Sequence, residues 1–293
     1  MPTLSAPRKP AWLKVPAPGG ENYARLKGLL KPRSLHTVCE EARCPNIGEC
    51  WAMGTATIML LGDTCTRGCR FCAVATGNPR GVVDTEEPRK TAEAVAELGL
   101  EYLVITTVDR DDLPDGGAAH LAEAVRRIRE SSPGTRLEFL VGDFRGRRES
   151  LETLLASGPD VFSHNLETVE RLTPMVRDRR ASYRQSLDVL RMSREIAPRI
   201  PTKSSLMLGL GETDDEIRAA MRDLRDAGVD FLTLGQYLRP TPKHLEVARF
   251  ATPAEFETWR TEAEGLGFRH VSSGPLVRSS YKAAELALQG LLP

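Results

Sequence analysis

Neither sign of charge is in excess: Lys plus Arg and Asp plus Glu number 40 each in 293 residues, for a formal net charge of zero. No long-range field then favours nucleic acid or an anionic membrane, and partners are expected to be recognised locally. Long apolar runs are also missing. The longest, over residues 57–62 and 102–108, fall far short of the roughly 20 residues that a spanning helix needs, so no membrane association is expected. The start carries no secretory pattern of charge, apolar core and small-residue cleavage site, which points to the cytoplasm. Six cysteines in a reducing compartment are not expected to form structural disulfides. Metal or redox chemistry is then their first reading. Core size is no constraint, since a chain of this length buries a full core as one barrel or two smaller domains.

Residues 1–35 hold six prolines and a basic excess (Arg8, Lys9, Lys14, Arg25, Lys27, Lys31, Arg33), which predicts an extended arm wrapped on a body. Residues 36–51 contain three cysteines and little apolar periodicity. They predict a loop organised by a metal site and not by a core. From Thr57 onward, β-branched apolar runs alternate with amphipathic segments. Strands are predicted over 57–61, 102–107, 137–141, 161–164, 204–208 and 231–234, and helices over 91–98, 118–130, 149–156, 183–196 and 214–227. Gly99 and Gly228 close two of these helices. About six strand-then-helix units in series favour an α/β fold, a partial or complete parallel βα barrel, over a doubly wound sheet. A last helix is predicted over 281–292. Barrel enzymes carry their chemistry on the loops after the strands. The unusual residues fall there: Cys65, Cys69 and Cys72 after the first strand, Asp109 to Asp112 after the second, Asp143 after the third, Asn165 and Glu167 after the fourth, Gly209, Gly211 and Glu212 after the fifth, and Gln236 and Tyr237 after the sixth.

The triad Cys65-Thr-Arg-Gly-Cys69-Arg-Phe-Cys72 places three thiols on one Gly-containing loop. A four-iron cluster normally takes four thiolates, so three leave one iron with an open position able to chelate the amine and carboxylate of a methionine moiety. Structural zinc would want four closed ligands, and no nearby His or fourth Cys completes a tetrahedron. The triad Cys39, Cys44, Cys50 has wider gaps, and on spacing alone a second cluster, a zinc site or incidental thiols all remain open.

With both triads in view, the chain resembles the lipoyl synthase family of the radical S-adenosylmethionine superfamily. The Cys65–Cys72 loop is similar to the superfamily's three-cysteine motif, with Phe71 before the last ligand, and the Cys39–Cys50 loop to the family's auxiliary-cluster motif. Residues 43–46, 108–117, 164–168, 203–212, 235–241 and 278–281 resemble further family stretches. Gly142 before Asp143, and Glu246 where the family usually has proline, depart from the pattern. The resemblance implies two 4Fe–4S clusters and S-adenosylmethionine as cofactors. Hydrogen would be removed from C6 and C8 of a protein-bound octanoyl chain, with sulfur supplied by the auxiliary cluster. It further implies an octanoylated carrier domain as substrate, an electron donor such as ferredoxin or flavodoxin, and a carrier that rebuilds the auxiliary cluster.

By the same resemblance Thr107, Asn165, Glu167, Lys203 and Gln236 contact S-adenosylmethionine; Asp109, Arg110 and Asp112, at a strand end in the barrel mouth, are expected to order the substrate lysine amide or close the site, and Arg278 is a further candidate for meeting the substrate. Ser280 becomes the fourth auxiliary ligand. Read alone, these residues have plainer roles: loop polar groups for Asn165 and Glu167, a solvated turn for 109–112, a strand-edge charge for Lys203, and a helix cap for Ser280. The expected divisions are residues 1–54 for the arm and auxiliary loop, 55–275 for the barrel, and 276–293 for a segment closing on the auxiliary cluster. Another two-cluster radical enzyme, such as a methylthiotransferase or maturase, would be expected to carry an extra recognition domain for which this chain has no room. A non-catalytic iron-sulfur electron carrier or zinc protein is the alternative from a different class.

Overall fold

The strands alternate with helices because the apolar pattern switches between period two and period 3.6 along the chain. The computed structural model describes residues 9–15, 18–52, 57–281, 283 and 290–292. Its strands are β1 (His36–Thr37), β2 (Thr57–Leu60), β3 (Thr64–Cys65), β4 (Ala75–Thr76), β5 (Tyr102–Thr107), β6 (Arg136–Leu140), β7 (Val161–Ser163), β8 (Thr202–Leu208), β9 (Phe231–Gln236) and β10 (His270–Gly274). The helices are α1 (Glu21–Leu30), α2 (Val38–Glu41), α3 (Ile47–Ala52), α4 (Glu87–Leu98), α5 (Ala118–Ser131), α6 (Arg148–Ala156), α7 (Thr173–Val176), α8 (Tyr183–Ile196), α9 (Asp214–Asp226) and α10 (Pro253–Gly265).

The main sheet runs β1-β2-β5-β6-β7-β8-β9-β10. Every pair is parallel except β1 with β2. Among the described residues no pairing joins β10 to β1, and the parallel strands curve into the βα architecture expected. Outward-facing Ile58, Leu60, Leu103, Ile105, Leu137, Phe139, Phe162, Leu206, Leu208, Leu232 and Leu234 are fully buried beneath the helix layer. Inward-facing Thr57, Met59, Thr106, Leu140, Ser205, Met207 and Gly235 line a cavity instead. Helix starts are defined by side chains: Thr213 and Glu216 exchange reciprocal bonds ahead of α9, and Thr252 and Glu255 do so ahead of α10. No helix among the described residues is long and apolar enough to cross a membrane.

Two expectations change. The arm contains α1, because Leu26, Leu29 and Leu30 share a face that can be buried. The first cysteine loop contains α2 and α3, which enclose Trp51 at 0% exposure in a small separate core with Leu26, Cys39 and Cys50. Trp51 stacks on Tyr23 at 4.9 Å between ring centroids. A core of its own therefore helps shape this loop. The strand β10 and the helix α10 extend the repeats past the six units expected. Most of the helix expected over 281–292 lies outside the described residues, and Tyr281 and Ala283 stand in turns.

Candidate functional site

The C-terminal ends of the strands open into one cavity of about 480 Å³, and all six cysteines line it. The Cys65–Cys72 loop leaves β2 and is tied down by backbone bonds, Thr66 N–H to Asp109 O at 2.9 Å and Arg70 N–H to Val176 O at 2.9 Å. Two backbone N–H groups point at sulfur: Arg67 toward Cys65 Sγ at 3.4 Å and Asp178 toward Cys69 Sγ at 3.3 Å. Burial, reinforced by crowding from Cys69 and Cys65, pushes the Cys72 thiol up to about 12. Cys50 rises likewise to about 12 through burial and its neighbours Cys44 and Cys39. Each triad thus concentrates like charge that cationic iron would neutralise. All six thiols are free.

Among the described residues no three His, Cys, Asp or Glu side chains converge closely enough to share one metal ion. The donor set itself, three thiols on one loop at the cavity wall, fits a cubane, in which each thiolate takes a different iron. Asn165 lines the cavity and its Oδ1 is buried without a partner, while its Nδ2 donates to Glu167 Oε1 at 3.1 Å. Glu167 sits at φ 71°, in the left-handed region, and burial raises its carboxyl above the ordinary range. A strained, buried carboxyl beside an unsatisfied amide oxygen is a site waiting for a donor.

Thr107, Asp109, Gln236, Arg278 and Ser280 also line the cavity. Ser280 shares this wall with Cys39, Cys44 and Cys50, brought there by Asn46, which donates from Nδ2 to Leu276 O at 2.6 Å. The helix it would cap falls largely outside the described residues. The side chain of Gln236 is committed to backbone: it donates to Leu208, Tyr237 and Arg249 carbonyls and accepts from Ala251 N–H. Its side chain therefore pins strand ends more than it offers groups to a ligand.

Three expected contacts lie elsewhere. Lys203 does not line the cavity and is no strand-edge charge; it is 3% exposed, with Nζ 2.9 Å from both Glu138 oxygens, and Tyr102 donates to the same carboxylate at 2.8 Å. Arg110 clasps Asp112 and donates to the Leu61 and Val82 carbonyls, while Asp112 accepts from Gly81 N–H. These two brace loops. Neither lines the main cavity; Arg110 lines the small cleft that adjoins it at Asp109.

Arg67, inside the cysteine motif, was not singled out from the sequence. Its guanidinium forks onto Asp111 at 2.8 and 2.9 Å and onto Asp143 at 2.7 Å, and stands 3.6 Å from Asp109. Burial opposes ionisation of Asp143, yet the Arg67 bonds outweigh it and hold the carboxyl at about 2. Burial dominates at Asp109, pushing it up to about 6 against the pull of Arg67. A Cβ at Gly142 would lie 2.1 Å from Asp109 Oδ1, so this departure from the family pattern is what leaves room for that carboxylate. The one available signal was arithmetic: an arginine between two cysteines, with aspartates waiting after two neighbouring strands.

A parallel βα fold with a three-thiol loop after β2 defines a class. Residues 59–224 match the Radical SAM superfamily, whose members carry a 4Fe–4S cluster and S-adenosylmethionine. Solved structures agree in fold alone: methylornithine synthase at TM-score 0.56 and 13% identity, covering 89% of this chain and 84% of that one, and the FeFe-hydrogenase maturase from Carboxydothermus hydrogenoformans at 0.53 and 14%, covering 79% and 65%. Residues 2–44 match the N-terminal domain of lipoyl synthase. The chain is 59% identical over 281 residues to the lipoyl synthase of Thermus thermophilus, covering 96% of this chain and 87% of the relative. It is 56% identical over 290 residues to the mitochondrial one of Drosophila melanogaster, covering 97% and 77%. The chain belongs to the lipoyl synthase family, and it is a sulfur-inserting radical enzyme.

Proposed function

We propose that the substrate is an octanoyl-lysine on a carrier domain, sulfurated at C6 and C8, with the radical cluster on Cys65, Cys69 and Cys72 and an auxiliary cluster, itself consumed as sulfur substrate, on Cys39, Cys44, Cys50 and Ser280. The observation carrying this reading is that both triads line a single cavity. When bound, the radical cluster and S-adenosylmethionine supply the one-electron chemistry that takes hydrogen from an unactivated C–H bond, which acid and base groups cannot do. The chain's own residues position and enclose. Asn165 and Glu167 offer an amide and a carboxyl to the cofactor's polar end. Met59, Leu140, Val108 and Met207 give an acyl chain an apolar wall. Ser280 provides oxygen, a harder donor to iron than thiolate, which suits a cluster that must open to release sulfur. An electron donor such as ferredoxin or flavodoxin, a carrier that rebuilds the cluster, and a cytoplasmic setting complete the reading.

The experiment is paired cysteine replacement under anaerobic reconstitution. Cys65→Ala, Cys69→Ala or Cys72→Ala should abolish 5′-deoxyadenosine formation. Cys39→Ala, Cys44→Ala or Cys50→Ala should leave that cleavage measurable and stop sulfur insertion, and iron per chain should fall by about half in either set. A dithiolane product from the second set would remove the auxiliary cluster as donor.

A further inference from the structure

A chain with no net charge can still be locally polarised. On the cavity face, several carboxylates are neutralised by arginines: Asp111 and Asp143 by the buried Arg67, Asp112 by the buried Arg110, and Asp178 by the exposed Arg180. The exposed cations of the same face are left over. Arg43, Arg70, Arg145, Arg147, Arg179 and Lys243 are all exposed, and none is ion-paired among the described residues.

Their positions follow from their neighbours. Arg43 lines the cavity, and Arg145 and Arg147 line a cleft that adjoins it at Asp109. Arg70 lies within the radical-cluster loop; Arg179 follows Asp178, whose N–H reaches Cys69 Sγ; Lys243 precedes His244, whose ring is 3.0 Å from Cys72 O. The set therefore surrounds the mouth of the site. Beside Arg70, Met175 stands 45% exposed, with its carbonyl accepting from Arg70. An unpaired cationic rim with one exposed apolar side chain has the composition of a polar protein–protein contact.

We infer that this rim is the docking surface for a protein domain that presents its acyl-lysine within an acidic patch. The inference rests on the proposed reaction only for the identity of the acyl cargo. The rim supplies encounter and orientation, and the cavity supplies chemistry.

The test measures binding of the reconstituted enzyme to an octanoylated carrier domain acidic around its lysine, to the same domain with those acids neutralised, and to a short neutral octanoyl-lysine peptide. Replacing Arg145, Arg147 and Arg179 together by Gln should weaken binding to the acidic domain by roughly tenfold at low ionic strength, and the difference should vanish at high salt. Peptide affinity and single-turnover product from the peptide should stay within about twofold. Unchanged affinity for the acidic domain overturns the inference. So does an equal loss with the neutral peptide, which would move these arginines into the cavity's own work, or tighter binding to duplex DNA or anionic vesicles than to the domain. If the wild-type enzyme sulfurates no octanoyl substrate, the proposed reaction falls, while the affinities still decide the rim.

Discussion

His164 is buried at 2% exposure, with Nδ1 2.9 Å from Val141 O and Nε2 3.0 Å from Ser186 Oγ. A carbonyl can only accept, so Nδ1 carries the proton, and Nε2 accepts from a hydroxyl that itself accepts from Arg177 at 2.7 Å. Burial, and then the Arg177 charge, lower this imidazole from 6.5 to about 4. As pH falls from 6.5 toward 4, the unfolded chain takes up this proton and the folded chain does not, so stability drains away in that window. Asp109 works in the opposite direction: its carboxyl, raised to about 6, binds its proton in the folded chain first and gains stability as pH falls from 6 toward 3.8. The two largely cancel in the wild type. In His164→Gln the histidine slope is gone, so the wild type's advantage should shrink by about 2 to 3 kcal/mol between neutral pH and about pH 4.5. Urea unfolding of the iron-free chain at several pH values checks it; a pH-independent difference would mean that His164 is not the buried neutral group described. Nothing in the His-Asn-Leu-Glu stretch revealed this role, because burial of a polar residue depends on partners such as Ser186 and Arg177 from distant positions.

Among the elements, the strands were legible where both faces are buried, as in β5 and β9, since their apolar runs leave no helical alternative of adequate length. The strand β10 was not legible: its five residues are His-Val-Ser-Ser-Gly, and only Val271 is buried there. Its place comes from pairing with β9 along its whole length. The helix α10 could have been found from Thr252 and Glu255, a cap signature with Pro253 between them. Gly235 shows what strand register does for the site. It faces inward on β9, and a Cβ there would lie 2.1 Å from Val277 O and 3.0 Å from Val277 C. Gly235→Ala must therefore push the 277–280 segment away from the barrel, whose other cavity walls can stay in place. Auxiliary-cluster iron and sulfur insertion are expected to fall, with 5′-deoxyadenosine formation retained. Full iron content and full product from this variant would falsify the dependence of the Ser280 wall on that close approach.

At the scale of the whole molecule, the two ends of the chain meet over the cavity. Asn46 reaches Leu276 across 230 residues, and Tyr281 donates to Glu49 at 3.2 Å while packing against the small core around Trp51. Further along, Ala283 packs on Tyr102 and Val104, and Leu291 and Leu292 on Val161 and Phe231, beneath the cavity. Barrel and segment contacts thus bracket the proposed fourth ligand from both sides. Sequence could show two thiol triads, yet that they share one cavity depends on long-range contacts such as these, which leave no local pattern. The cysteine loop and the segment at 276–281 are expected to open as one cooperative unit. Asn46→Ala removes one buried bond, worth about 1 to 3 kcal/mol once its partner carbonyl is left unsatisfied, and touches no cysteine. Hydrogen exchange should then quicken at 44–50 and at 276–281 together, although only the first segment is altered. Coupling is reciprocal, so loading iron on the first triad alone, in a chain with Cys65, Cys69 and Cys72 all replaced by Ala, should slow exchange at 276–281, and Asn46→Ala should diminish that protection. Faster exchange confined to 44–50, or iron loading that leaves 276–281 unprotected, would show the two ends to be neighbours without being a unit.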